Sequence, residues 1–308
     1  MNEKLVSVII PTHQGSDKIS RAVESVINQT YKNIEIIVID DNGEGHKEQI
    51  ATEHQMSKYR NEKNITYIKH RQNKNGSAAR NTGIKHSTGS FIAFLDDDDV
   101  YLSECIAKKV DLFESLSNDY GILFCSFYQE QENTKRKVIE TNFNGNLLFD
   151  YLMGRIESPS SIIMIRKSVI DKVGYWDESF NRHQDWEFIS RVLTKYKGAG
   201  LKEIGVHRFI LGRHSARNPI EFEKHRIHFL NKLSSIIDNL PENQSKMVYD
   251  RHFAEMGKAY FKNRNFLKSI YWVKRTNNPF REFNKYIISG ITYLKIRLNY
   301  YLNLRDEK

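Results

Sequence analysis

The sequence predicts an α/β fold, with a mostly parallel central sheet flanked by helices and a helical C-terminal appendage. Three observations predict it. In the first third of the 308 residues, continuous apolar runs alternate with helix-period stretches, the pattern of strands buried on both faces of a parallel sheet. Three of those runs end abruptly in polar signatures, Pro11-Thr12-His13, Asp40-Asp41-Asn42 and Asp96–Asp99. Beyond Pro219 the chain turns helical, basic and aromatic.

Leu5–Ile10 reads as a strand stopped by Pro11, since proline cannot donate to a ladder. Ile19, Val23, Val26 and Ile27 recur at helical spacing. The β-branched run Ile34–Ile39 is a strand, and Glu48–Arg60 is polar and helix-compatible. Ile65–Lys69 is a short strand, Gly76 opens a helix through Ile84, and Phe91–Leu95 is a further strand. The pattern then becomes mixed. A helix over Leu102–Leu116 leads to a strand around Ile122–Tyr128, a solvated turn at Lys135–Lys137 and a strand at Ser161–Ile165. Gln184-Asp185-Trp186-Glu187 opens a helix carrying Phe188, Ile189, Val192 and Leu193. In the tail, Phe283, Ile287, Ile291, Leu294, Leu298 and Leu302 keep helical spacing.

With 39% apolar and 28% charged residues the chain has the composition of a folded domain, not a disordered one. Cys105 and Cys125 are its only cysteines and form no CxxC, which argues for a reducing compartment and against a zinc or disulfide framework. Met1 leads straight into a strand without a signal peptide, and no apolar run approaches the ~18–20 residues that span a bilayer. These features predict a cytoplasmic protein. The net charge of +9 raises a polyanionic partner. Much of the excess lies in the tail, where Lys258–Lys308 carries 12 Lys and Arg against Glu282, Asp306 and Glu307. Absence of GxGxxG and GxxxxGK[ST] disfavours dinucleotide and P-loop readings.

The four consecutive carboxylates Asp96–Asp99 follow an apolar strand, at the sheet edge where α/β ligands bind. Like charges so close raise one another's pKa. A divalent cation relieves that repulsion, because hard cations prefer oxygen ligands. A solvated acidic turn is the open alternative at this point.

The chain resembles the family 2 glycosyltransferases, inverting enzymes of the GT-A fold that act on nucleotide-diphosphate sugars. The resemblance is carried by Val6–Thr12, Ser25–Tyr31, Glu35–Asp41, Asn75–Ile84 and Phe94–Asp99. It is dense over residues 1–105 and sparse over 106–217. It implies a GT-A catalytic domain at 1–218, with a nucleotide-binding half (1–105) and an acceptor half (106–218), and a helical basic and aromatic region at 219–308.

The family's Asp-x-Asp motif falls on Asp96 and Asp98. The resemblance implies Asp98 as ligand of a Mn²⁺ or Mg²⁺ ion on the diphosphate, with Asp96 towards the ribose or the metal's waters. Asp97 joins the nucleotide-sugar set by position, although Asp97 and Asp99 by themselves read as solvated, or Asp99 as the cap of a helix near Tyr101. Pro11, Thr12 and His13 fall on the nucleotide side, His13 standing where the family usually has a Tyr stacked on the base. Asn42-Gly43-Glu44-Gly45 replaces a more usual Gly-Ser-x-Asp turn. Asp41 matches the acceptor for uracil N3–H, against a plain Asx turn as local alternative. Arg80 falls at a position facing the nucleotide. The general base is implied at Asp185, in a Gln184-Asp185 pair where the family has Glu-Asp. Loss of the neighbouring charge lowers the base's pKa relative to that pair, while a helix-dipole carboxylate is the bland reading. Glu187 is next in line as base. His214, within Arg213–Arg217, is implied as a further metal ligand near the diphosphate, with a phosphate clamp by Arg213 and Arg217 as the open alternative, and His207 is a weaker candidate.

The function implied is transfer of a hexose or N-acetylhexosamine from a UDP-sugar to a glycan or lipid-linked acceptor in surface-polysaccharide assembly. Two rivals are a nucleotidyltransferase making nucleotide-sugars and a non-catalytic carbohydrate-binding relative. The former normally has a Gly-rich basic loop where this chain has Pro11-Thr12-His13-Gln14-Gly15. The tail admits three readings: packing on the catalytic domain, peripheral attachment to an anionic membrane on its inner face, and nucleic-acid binding. No nucleic-acid module is legible, so nucleic acid is not expected as a partner.

Overall fold

Val6, Val8, Ile9 and Ile10 are fully buried, which places β1 (Val6–Thr12) in the middle of a sheet. In this computed structural model, which describes residues 3–131, 136–210, 218–279, 281 and 284–286, β1 is followed by α1 (Ile19–Ile27), β2 (Ile34–Asp40), α2 (Lys47–Met56), β3 (Ile65–Lys69) and α3 (Gly76–His86). Next come β4 (Phe91–Phe94), β5 (Val100–Tyr101), α4 (Cys105–Ser115), β6 (Tyr120–Gln131), β7 (Lys137–Ile139), β8 (Asn144–Gly145), α5 (Leu148–Leu152) and β9 (Ile163–Arg166). The series continues with α6 (Lys167–Val173), α7 (Gln184–Leu193), β10 (Lys197–Ile210), α8 (Pro219–Asp238), α9 (Glu242–Lys262) and α10 (Phe266–Val273). The chain divides into two compact units, Met1–Arg213 and His214–Lys308.

Among the described residues the first unit holds one sheet in the order β3-β2-β1-β4-β9-β6-β10-β5, with β7 on β6 and β8 on β10. β3, β2, β1 and β4 run parallel, so Thr12, Asp40 and Phe94 end on one edge. This is the gathering that the three polar signatures predict. β9 runs antiparallel between β4 and β6. Helix α1 buries Ile19, Ala22, Val23 and Val26 at i, i+3, i+4 and i+7, each fully buried Ile or Val contributing about 1.5–3 kcal/mol. Ile27 is exposed instead.

Several boundaries differ from the sequence reading. β1 does not stop at Pro11 but pairs through it to Thr12. Val6 N–H donates towards the β2 side and the Ile9 carbonyl accepts from Leu95 on the β4 side, so odd-numbered residues of β1 face β4. β4 ends at Phe94, and the missing N–H of Pro11 therefore faces a place where no ladder remains. The helix expected from Leu102 begins at Cys105. Ser160–Ile162 is a 3-10 turn, and β9 begins only at Ile163. Lys137 opens β7 rather than lying in the turn, and Lys135 is outside the described residues.

In the second unit, Asn218 caps α8 by accepting from Ile220 N–H at 3.0 Å. Phe229, Leu233 and Ile237 of α8 are buried, as are Val248, Met256 and Tyr260 of α9 and Trp272 and Val273 of α10. The stripe from Phe283 to Leu302 lies outside the described residues.

Candidate active site

At the end of β2, Asp40 and Asp41 are both buried and both heavily hydrogen-bonded. Asp40 accepts from Tyr67 Oη (2.5 Å) and from Asn42 N and Nδ2 (3.0 and 2.8 Å). Asp41 Oδ1 pairs with His70 Nδ1 (2.7 Å) and accepts from Lys74 N (2.9 Å). Its Oδ2 accepts from Asn73 Nδ2 (3.1 Å) and Asn75 N (2.9 Å). Four partners occupy roughly all four acceptor positions of a carboxylate. Asp41 therefore anchors the loop entering α3, and a base N–H would reach it only by displacing Asn73. His13, exposed at the end of β1, has Nδ1 3.0 Å from Asn73 Nδ2 and 3.2 Å from the Asp41 carbonyl. Asn75 sits at φ +104 and caps α3 by accepting from Ala78 N–H (3.1 Å). Such a backbone conformation costs a non-glycine residue about 1–3 kcal/mol and is concentrated at functional sites.

The turn after β4 separates the four carboxylates. Asp96 accepts from Arg80 Nη2 (2.6 Å) and Ser160 Oγ (2.8 Å), both on Oδ1. Asp97 accepts from Thr12 Oγ1 (2.6 Å), and burial pushes its pKa up to about 7. Gly15 makes room for it: a Cβ there would lie 1.9 Å from Asp97 Oδ2. Asp99 is buried, accepting from Ser161 Oγ (2.5 Å) and Phe209 N (3.2 Å), and burial raises its pKa. The Asp98 carboxylate accepts from no other side chain among the described residues, Arg21 Nη2 donating instead to its backbone carbonyl (2.8 Å), and burial, then the charge of Asp96, raises its pKa. The reading of Asp97 and Asp99 as solvated is therefore corrected, because strands and a turn brought in from elsewhere supply Thr12, Phe209 and Ser161. Asp99 caps no helix either, since α4 starts at Cys105 behind Glu104.

Arg80 joins the two halves of the site. Its guanidinium is buried, bonds Asp96 and Ser160 (2.9 Å), and lies 5.0 Å from the Trp176 ring. Its Nε and Nη1 are buried without a hydrogen-bond partner among the described residues. A buried donor left unmade costs about 1–3 kcal/mol. Gly76 lets the guanidinium and Gln184 approach, a Cβ there meeting Arg80 Nη1 at 2.9 Å and Gln184 Nε2 at 3.1 Å. Gln184 accepts from Ser77 Oγ at 2.8 Å, tying the start of α7 to the start of α3. Asp185 follows in the first turn of α7, behind His183 at φ +61. Burial raises its pKa, while the charge of Arg80 pulls it back and that of Asp96 adds to it. Asp185, Arg80 and Asp96 thus share one electrostatic environment.

A divalent ion fits the residues of this turn. Asp98 offers a carboxylate free of side-chain donors among the described residues, and the bonds to Asp96 fall on Oδ1, leaving its Oδ2. One or two carboxylates plus substrate phosphates is how Mg²⁺ is commonly held. No cluster of three His, Cys, Asp or Glu side chains suited to a metal occurs among the described residues. His214, Arg213 and Arg217 lie outside the described residues. His207 is paired with Glu130 at 2.7 Å on β10 and stacks on Phe209. Glu187 is buried in a pair with Arg191. Sequence reasoning missed His70, Asn73, Ser160, Ser161 and Trp176 as supports of the site. None carries a local signal, since each acts on a residue at least 29 positions away, like His70 on Asp41 or Ser160 on Asp96.

The profile of the family described as Glycosyl transferase family 2 matches residues 7–174. An uncharacterized glycosyltransferase of Rickettsia bellii is 30% identical over 202 residues, 62% of this chain and 28% of that protein. The minor teichoic acid biosynthesis protein GgaB of Bacillus subtilis is 29% identical over 220 residues, 67% of this chain and 23% of its own length. The UDP-Glc:alpha-D-GlcNAc-diphosphoundecaprenol beta-1,3-glucosyltransferase WfgD of Escherichia coli is 30% identical over 127 residues, covering 41% and 47%. The matches cover between 22% and 66% of the length of such curated relatives. In structure, S. aureus TarS 1-349 in complex with UDP-GlcNAc superposes with TM-score 0.65 at 18% identity, covering 89% of this chain and 82% of that one. The mannosyltransferase PcManGT of Pyrobaculum calidifontis, in complex with GDP-Man and Mn²⁺, superposes with TM-score 0.56 at 12% identity, covering 89% and 75%. At these identities the structures establish a shared fold.

Proposed function

Because the chain belongs to glycosyl transferase family 2, we propose that it is an inverting, metal-dependent glycosyltransferase. It moves a hexose or N-acetylhexosamine from a UDP-sugar to a glycan or lipid-linked acceptor in surface-polysaccharide assembly. The observation that carries this reading is the arrangement around Arg80, a buried guanidinium with two nitrogens, Nε and Nη1, unpartnered among the described residues, between Asp96 and the start of α7. The names of two relatives support the donor and acceptor classes, one with UDP-Glc and a diphosphoundecaprenol acceptor, one with teichoic acid. The complexes of TarS with UDP-GlcNAc and UDP support the uridine nucleotide.

On this reading Pro11, Thr12, His13 and Asp41 frame the base side, with His13 stacking and Asn73 yielding to the uracil edge. Asp98 and Asp96 would hold Mn²⁺ or Mg²⁺, with His214 as a further ligand; the ion supplies neutralisation of charge on the departing diphosphate. Arg80 directs its unmet N–H groups at the donor, and Asp97 closes the turn beneath it. Asp185 accepts the proton of the acceptor hydroxyl as that oxygen bonds the anomeric carbon. The C–O bond to the diphosphate breaks on the opposite face, and its electron pair leaves with UDP. A carboxylate with a raised pKa is a stronger base. Residues 1–218 would carry this chemistry, in the cytoplasm, with residues 219–308 placing it peripherally on the inner face of the membrane.

Transfer and binding assays across a panel of nucleotide-sugars with Mn²⁺ test the proposal. Asp185→Asn is expected to keep donor binding and to lose transfer by about 10²–10⁴-fold, the usual worth of a general base. In the parent, activity is expected to fall with pH at a point above the ordinary aspartate range, because burial raises the Asp185 pKa. Near-parental turnover of Asp185→Asn at saturating donor would move the base elsewhere. Failure to bind any UDP-sugar would overturn the donor class.

A further inference from the structure

Helix α10 is apolar on both sides, and only one side is buried. Ser269, Trp272 and Val273 are buried, with Trp272 stacking on Phe253 of α9 at 5.6 Å. Phe266 (51%), Leu267 (85%), Ile270 (39%) and Tyr271 (44%) remain exposed. At about 100° per residue these four positions span roughly 140° of the helix surface, a continuous stripe rather than scattered single residues. A soluble helix ordinarily turns polar residues to water, and contiguous exposed apolar area marks an interaction site.

Charge says what the stripe meets. From Lys258 to Asn278 the chain carries Lys258, Lys262, Arg264, Lys268, Lys274 and Arg275 and no acidic residue. Arg275 lies 3.6 Å over the Tyr271 ring and Lys268 5.4 Å from it, so both cations rim the stripe. Glu223 approaches Lys268 at 3.6 Å and offsets part of one charge. An apolar and aromatic stripe rimmed by cations is the composition of a helix lying in a membrane interface, and anionic lipid adds about 1 kcal/mol per basic residue near the surface. No helix of the described residues is long and apolar enough to cross a membrane.

We infer that the exposed face of α10, centred on Leu267, docks in the plane of an anionic lipid bilayer. The face serves transfer to a lipid-linked acceptor, and in that purpose it rests on the proposed function; its lipid affinity does not.

The test is co-sedimentation of the full chain with vesicles of phosphatidylglycerol and phosphatidylcholine, or of phosphatidylcholine alone. The parent is expected to bind the anionic vesicles and to be partly released by salt. Leu267→Asp is expected to weaken that binding at least about tenfold with an unchanged Tm in the absence of lipid. Equal binding by Leu267→Asp, or indifference of the parent to phosphatidylglycerol, would overturn the inference. A lowered Tm for Leu267→Asp without lipid would also overturn it, because the chain would then cover this face itself. So would concentration-dependent self-association that Leu267→Asp abolishes, with no vesicle binding. UDP-sugar turnover on a soluble acceptor, measured in both proteins, separates the two readings. No turnover in either, with vesicle binding intact, would sink the transferase reading and uphold the docking face.

Discussion

The ends of β2 and β4 both present runs of aspartate on the same sheet edge, and only the β4 end leaves one of its carboxylates open. At the β2 end, Asp41 has four polar partners and Asp40 three donors. At the β4 end Asp96 and Asp99 have two donors each, Asp97 has one from Thr12, and the Asp98 carboxylate has no side-chain donor among the described residues, with burial raising the pKa of Asp97 and Asp98. The same side chain is thus used as a scaffold at every position of one strand end and, at Asp98, held open on the next. A carboxylate saturated by the protein stabilises a loop. One left short of donors, among like charges, is stabilised by something the protein does not itself provide.

Asp41→Asn is the sharpest way to break this contrast. An amide brings two N–H groups where Lys74, Asn75 and Asn73 already donate, so donors face donors. Loss of about 3–5 kcal/mol is expected, as for breaking a buried charged network, read as a lower denaturant midpoint with an unchanged slope. A variant as stable as the parent would mean that Asp41 is not the anchor.

The next effect is a pH dependence. The folded-state pKa of Asp97, about 7, lies above its ordinary 3.8, so the folded chain holds this proton more tightly than the unfolded one. Its contribution to stability is therefore present below about pH 4 and is lost as pH rises to about 7. Removing it by Asp97→Asn should raise stability at pH 8 by about 2–4 kcal/mol at 1.36 kcal/mol per pKa unit and flatten stability between those limits. Thermal unfolding of both proteins across that range, without divalent ions, checks the sign. A parallel pH profile would show that Asp97 is not the group titrating.

The smallest structural effect is expected for Asp98→Asn. No side-chain donor is stranded and one like charge is removed, so stability should stay within about 0.5 kcal/mol or rise slightly. What should vanish is the Mn²⁺-dependent part of UDP binding, followed by calorimetry. Parental metal dependence would move the ligand to another carboxylate of the turn.

Much of the fold was legible along the chain. The apolar runs at Leu5–Ile10 and Ile34–Ile39, and the apolar spacing through Val26, predicted β1, β2 and α1 because burial on both faces leaves a continuous apolar pattern. Boundaries failed where a long-range neighbour decided them. Pro11 stayed in its strand because β4 had already ended, and Ser161 and Ile162 left the expected strand to join Ser160 in a turn that bonds Asp96 and Asp99.

By itself, the sequence determined that an aspartate run stands at the end of a buried strand, that a basic and aromatic segment follows Lys258, and which family the motifs belong to. All three depend only on residue type and local spacing. Tertiary structure alone decided which of four identical carboxylates is bonded, buried or left open. It also left Arg80 with unmet N–H groups beside Asp96 and turned Leu267 outward on α10. Those outcomes depend on Thr12, Ser160, Ser161 and Trp176 arriving from distant strands and turns, because a side chain's charge state and exposure are set by what packs against it in space, not by its neighbours along the chain.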